Sequence, residues 1–347
     1  MKKIALSLLL ALGLGTFQSA DAKKEHILPY PQKLEATDGK LTLASGSAVT
    51  VAGLKDSPAL VNFFKEFGIT NVSFSETGNS GNVVVKMVDQ INGAYDHQLA
   101  DYDNEAYTLK VTAAGIEISA VKPVGVIRAA QTLTQLAEGY AEGSGVNLEY
   151  VDITDWPAFK LRGVMHDVGR SFIEYAELKK QIELLSRFKV NTFHWHLTEN
   201  LAWRFEVKAF PKLTQGQFMV RQKGKFYTQE QCKDLVKFAQ ERGVTIIPEI
   251  DIPGHSKAFR DALGYDMQSE EGKAALKEIF KEVVEVFSNS PYIHIGGDEV
   301  ATTEAYLNEM ITYIKDTYGK KIVTPSPGTT LWRVRARPQR VQRRIFE

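Results

Sequence analysis

Tyr292-Ile293-His294-Ile295-Gly296-Gly297-Asp298-Glu299 sets a short β-branched run against two glycines and two adjacent carboxylates. Side chains alternate along a strand, so a strand that simply continued would send Asp298 and Glu299 to opposite faces. The two glycines permit a turn that brings both carboxyls to one place. A pair of acids at the end of a buried strand suits proton transfer beside a developing positive charge. The plainer alternative is that both acids only favour the N-terminus of a following helix, through its dipole.

Outward from this stretch the sequence keeps a rhythm of strand, loop and helix. Residues 160–166, 192–196, 244–248 and 292–295 are expected strands, and 321–323 could begin a fifth. Leu178, Ile182 and Leu185 form the apolar stripe of a first helix. Thr228-Gln229-Glu230-Gln231 is a capping box, and Gly243 ends the helix it opens. Further helices are expected at 273–287 and 303–318. Alternating β and α with right-handed crossovers gives a parallel sheet. Polar residues gathered after each apolar strand favour a TIM-type (β/α)₈ barrel over an open sheet. Only four or five of its units are present, so the expected fold class is α/β with an incomplete barrel.

In such a barrel the reactive residues lie where strands end. Here the first end has Arg162, His166, Asp167 and Arg170, and the second His194, His196 and Glu199. The third has Glu249, Asp251 and His255, and the fourth Asp298 and Glu299. A histidine alone is more often a hydrogen-bonded core residue; four loaded ends together point to a site. His194-Trp195-His196 invites a metal reading, because alternate strand residues share a face. Amidohydrolase barrels place His-x-His on the first strand, however, and need more histidines on later ones. No histidine follows His294, and neither a metal nor another cofactor is expected.

Residues 23–155 mix short strands with two helices, one opened by Ser57-Pro58 and one over 124–136. They form an α+β domain without a cluster of reactive side chains, and a buttress is its expected role. Asp155-Trp156-Pro157 marks the boundary. At the start, Lys2 and Lys3 precede an apolar run and Ala20-Asp21-Ala22, which reads as a secretory signal at 1–22. The run is too short to span a bilayer, so no stable membrane span is expected after cleavage, and the product would be periplasmic or secreted. One cysteine, Cys232, allows no internal disulfide. Among 347 residues, Lys+Arg and Asp+Glu balance at 42 each, which gives no reason to expect a nucleic-acid partner.

The blocks at 161–170, 191–198, 247–255 and 294–299 resemble glycoside hydrolase family 20, the β-N-acetylhexosaminidases, in order and spacing. Tyr107 and Gln131-Thr132-Leu133 are similar to that family's N-terminal companion domain. The resemblance implies hydrolysis of terminal non-reducing N-acetyl-β-D-hexosamine from glycan substrates, retaining and substrate-assisted, through an oxazolinium intermediate. By the family pattern Glu299 is the general acid and base, and Asp298 holds the acetamido N–H. Arg162, Glu199 and His196 would bind the sugar. Asp251, His255, Asp167 and Glu249 would support the acid pair. Glu199 departs from the Asp common at its position, by one methylene. The likeness fades after Val323, and 324–347 is an arginine-rich, aperiodic tail such as a frameshift would give. The barrel portion is then 156–323. The alternatives are an incomplete glycosidase that is inactive or binds glycans weakly, and a metal-dependent barrel hydrolase.

Overall fold

The structure, a computed structural model, describes residues 27–91, 104–137, 144–297, 300 and 302–324. The expected signal, the pair Asp298 and Glu299, and the tail after Thr324 lie outside the described residues. The chain divides into two compact units. One runs to Lys160 and takes in Arg187–Lys189; the other holds Leu161–Ser186 and continues from Val190.

The first unit contains β1 (Lys33–Ala44), β2 (Ala48–Ala52), α1 (Pro58–Glu66), β3 (Asn71–Ser75) and β4 (Val83–Met87). There follow β5 (Tyr107–Thr112), β6 (Gly115–Ala120), α2 (Pro123–Leu136) and β7 (Gly145–Asp155). The strands form one mixed sheet in the order β1-β7-β5-β6-β4-β2-β3. Ser57 caps α1 by accepting from Leu60 N, with Pro58 in the first turn. Leu60, Phe63 and Phe64 of that helix join the apolar side chains of the sheet in one core. β7 escapes a search for apolar runs because Asn147, Glu149 and Asp152 interrupt it, while Val146, Leu148, Val151 and Ile153 turn inward. A buried polar knot closes this unit. Lys189 Nζ lies 2.7 Å from Asp155 Oδ2 and donates to Tyr107 OH at 3.0 Å. Tyr107 OH also meets Thr132 Oγ1 at 2.6 Å. Burial, with the Asp155 charge, pushes the Tyr107 hydroxyl pKa well up.

The second unit contains β8 (Gly163–Asp167), α3 (Tyr175–Arg187, whose last residue falls to the first unit), β9 (Thr192–His196), α4 (Gln229–Gln240) and β10 (Thr245–Glu249). Then come α5 (Lys257–Leu263), α6 (Glu270–Val286), β11 (Tyr292–His294), α7 (Glu304–Tyr318) and β12 (Lys321–Val323). All five strands are parallel, in the order β12-β11-β10-β9-β8. The first strand begins at Gly163, later than the sequence suggests. Pairing starts where Gly163 faces Thr192, whose side chain leaves little room for a Cβ. One face of the sheet sends Phe193, Trp195, Ile246 and Ile293 into a core shared with Leu178, Ile182, Leu235, Leu276, Ile279 and Met310 of the helices. The opposite face carries Met165, which is 56% exposed, and the polar residues described next.

Candidate active site

Strand register brings the polar residues into one row. Asp167 pairs with His196, His196 with Glu249, Glu249 with His294, and His294 with Val323. In-register neighbours of a parallel sheet project from the same face, so these side chains gather at the C-terminal edge. His194 precedes His196 by two residues and shares its face.

Glu249 is the hub. Its Oε2 lies 2.6 Å from His194 Nε2 and 2.8 Å from His196 Nδ1, and its Oε1 lies 2.9 Å from His294 Nδ1. Burial alone would raise the pKa of this carboxyl, but the three imidazoles outweigh burial and hold it far below the ordinary carboxylate range. Burial also opposes charge on His196. The contact with Glu249 and its charge, helped by Asp167 and Asp251, prevails and raises the imidazole pKa. His166, which the sequence places at the same strand end, points to the other face and stacks on Phe193; burial lowers its pKa.

A second chain of contacts runs beside the first. Arg170 Nη1 meets Asp167 Oδ2 and Arg170 Nη2 meets Glu199 Oε1, each at 2.8 Å. The same Glu199 oxygen lies 2.5 Å from His255 Nδ1, and His255 Nε2 is 3.7 Å from Asp251 Oδ2. His255 adopts a left-handed backbone (φ 44), uncommon outside glycine. Glu199 fits because residue 169 is glycine: a Cβ there would lie 2.5 Å from Glu199 Cβ.

The two systems meet at the glycine turn. Gly296 and Gly297 have φ 62 and 106, a conformation that glycine alone adopts without cost. Gly296 N donates to His294 Nδ1 at 3.1 Å, and Thr324 Oγ1 donates to Gly296 O at 2.5 Å. Asp251 Oδ1 presses against Gly296 so closely that any Cβ would lie 1.8 Å away. The turn therefore leaves the strand and is held from three sides immediately before Asp298. Arg162 stands before β8, where its carbonyl accepts from Asn191 N and Thr192 N. It is thus at the opposite end of that strand from Asp167.

Reading the sequence missed Arg204. This fully buried guanidinium donates to the carbonyls of Val168, Gly169, Arg221, Gln222 and Lys225. It thereby ties the loop bearing Gly169 and Arg170 to the segment before α4. Burial is the main cause of its pKa being lowered to about 10.

Two family descriptions match the chain. Glycosyl hydrolase family 20, catalytic domain, covers residues 159–272 and 259–335, and glycosyl hydrolase family 20, domain 2, covers 24–156. A β-hexosaminidase of Vibrio furnissii is 30% identical over 318 residues, taking in 81% of this chain and 50% of the relative. One from Porphyromonas gingivalis is 31% identical over 308 residues, 79% of this chain and 39% of the relative. The chain thus spans about half the length of such relatives or less. The crystal structure of a β-N-acetylhexosaminidase from Bacteroides fragilis superposes with a TM-score of 0.74 at 29% identity, over 86% of this chain and 66% of that one. An exo β-N-acetylglucosaminidase from Vibrio harveyi, solved with N-acetylglucosamine, gives 0.71 at 26% identity, over 87% and 55%.

Proposed function

Because the chain belongs to glycosyl hydrolase family 20, we propose that it carries the catalytic apparatus of an exo-acting β-N-acetylhexosaminidase. Its substrates would be glycans ending in non-reducing N-acetyl-β-D-hexosamine. The observation that carries this reading is the row Asp167, His196, Glu249 and His294, which leads into a clamped glycine turn directly before Asp298 and Glu299.

In this reading the substrate's acetamido oxygen attacks the anomeric carbon from within the sugar. Glu299 gives its proton to the departing glycosidic oxygen. Asp298 accepts a hydrogen bond from the acetamido N–H and stabilises the oxazolinium cation. Glu299 then takes a proton from water, which opens the ring with net retention. Substrate-assisted hydrolases of this kind need no enzyme nucleophile. Well-oriented intramolecular attack reaches effective molarities of roughly 10⁵–10⁸ M, and general acid help adds roughly 10²–10⁴. Glu199 and His196 would hold the sugar hydroxyls; Arg162, to which the family resemblance gives the same task, stands at the other end of β8. Asp251, His255, Asp167 and Glu249 would position the acid pair. Arg170 and His255 both engage one Glu199 oxygen, and the other accepts from Leu201 N at 3.4 Å.

The five parallel strands would be an arc of a (β/α)₈ barrel. Parallel strands expect cover on both faces, and Leu161 and Met165 are 63% and 56% exposed. The segment 1–22 would direct export to the periplasm or beyond. No helix among the described residues is long and apolar enough to cross a membrane.

Release of nitrophenol from nitrophenyl N-acetyl-β-glucosaminide, competed by a thiazoline analogue of the cyclised sugar, tests the reading. Thiazoline binding with no nitrophenol released would instead select a chain that binds the sugar without turnover.

A further inference from the structure

We propose that His194, Glu249 and His294 form a binding site for a zinc-class divalent cation at the C-terminal edge of the parallel sheet. The hydrolase chemistry above uses no such ion, and the inference stands independently of it. The three residues come from three adjacent strands, and one ligand atom from each lies within 4.8 Å of the others. Two imidazoles and a carboxylate are a donor set that holds zinc while leaving a fourth position open. Zinc–nitrogen bonds of about 2.0–2.1 Å place tetrahedral donors about 3.3 Å apart. The contacts of 2.6 and 2.9 Å to Glu249 would have to widen by about 0.7 and 0.4 Å.

Hydrogen bonding leaves this cluster incomplete. His194 Nε2 is a buried atom without a hydrogen-bond partner, even though Glu249 Oε2 is 2.6 Å away. His294 Nδ1 stands 3.1 Å from Gly296 N and 2.9 Å from Glu249 Oε1. A bound ion would compete with the Gly296 N–H, whose 3.1 Å contact is at the long end for such bonds. His196 approaches the shared oxygen through Nδ1 at 2.8 Å. It thus holds the carboxylate in place, as groups outside a metal's own ligands commonly do. The His194 and His294 side chains are 23% and 13% exposed, so an ion has a way in.

The test uses the full chain without a histidine tag, freed of metal by a chelator and dialysed. Calorimetric titration with Zn²⁺ should show one ion bound per chain. Co²⁺ in its place should give the intense visible bands of a four-coordinate cobalt ion. Zn²⁺ should also raise the melting temperature, since a ligand that binds only the folded state stabilises it. His194→Gln and His294→Gln should each weaken Zn²⁺ binding at least tenfold and abolish the cobalt bands. Melting without metal shows whether each variant is folded; if one is not, the other decides. Absence of stoichiometric Zn²⁺ binding by the parent chain would overturn the proposal. So would Zn²⁺ binding that persists unchanged in a folded variant, which would place the ion elsewhere. Neither result depends on sugar hydrolysis, so a failed hydrolase assay leaves this measurement intact.

Discussion

A methyl group on Gly296 would meet Asp251 Oδ1 at 1.8 Å, in a backbone already at φ 62. Gly296→Ala combines overpacking with left-handed strain, and should cost about 2–4 kcal/mol of stability. A shift of the urea midpoint at unchanged slope would measure it; an unshifted midpoint would show that the turn is not held as described. Asp298 and Glu299 follow this turn, and their assigned roles predict different kinetics. Glu299→Gln should slow poor leaving groups far more than good ones, because only the former need the acid. Asp298→Asn should slow both alike, because the oxazolinium forms whatever departs. A matching leaving-group profile for the two variants would remove the distinction. Cys232 makes a simpler point. It is fully buried, and burial, reinforced by Glu206 and Glu230, raises its thiol pKa well above the usual value. The thiolate is the reactive form, so Ellman's reagent should find Cys232 only after unfolding. Rapid reaction of the native protein would contradict that burial.

The stretch from Leu197 to Tyr227 owes its shape to Arg204, whose guanidinium is satisfied chiefly by backbone carbonyls and lies 5.5 Å from the Phe172 ring centre. Arg204→Met strips several buried acceptors of their donor, at roughly 1–3 kcal/mol each before relaxation. We expect a loss of about 3–4 kcal/mol and new protease cleavage between 216 and 227; a resistant, equally stable variant would show that the loop is held by other means. Nothing in Trp203-Arg204-Phe205 announced this, because an arginine between aromatics reads as the outward residue of a strand. β9 and β10 were legible for the opposite reason, since their short apolar runs agree with near-continuous burial. β7 was not, because its inward residues are separated by polar ones. At the site, Glu249 and the flanking histidines could be named from their place at strand ends. That three of them meet one carboxylate could not, because the register between separate strands is invisible in the sequence. Asp167 and Arg170 share this limit: their spacing suggests proximity, but the tie to Glu199 requires Gly169 to lack a side chain.

Over the whole molecule, the parallel sheet has one face packed on helices and another that carries both the polar row and the exposed Met165. Met165→Lys discriminates between a bare arc and a covered barrel. On a bare face the change should stay within about 0.5 kcal/mol, as for ordinary surface substitutions; under a closed barrel it buries an unpaired charge and costs several times more. The central claim is that the sugar's own acetamido group is the nucleophile. Its most direct measurement is the ratio of turnover on nitrophenyl N-acetyl-β-glucosaminide to that on nitrophenyl β-glucoside, which lacks the group. Loss of an intramolecular nucleophile predicts a ratio on the order of 10³ or more. Comparable rates on the two substrates, with a sugar trapped covalently on any aspartate or glutamate, would contradict it.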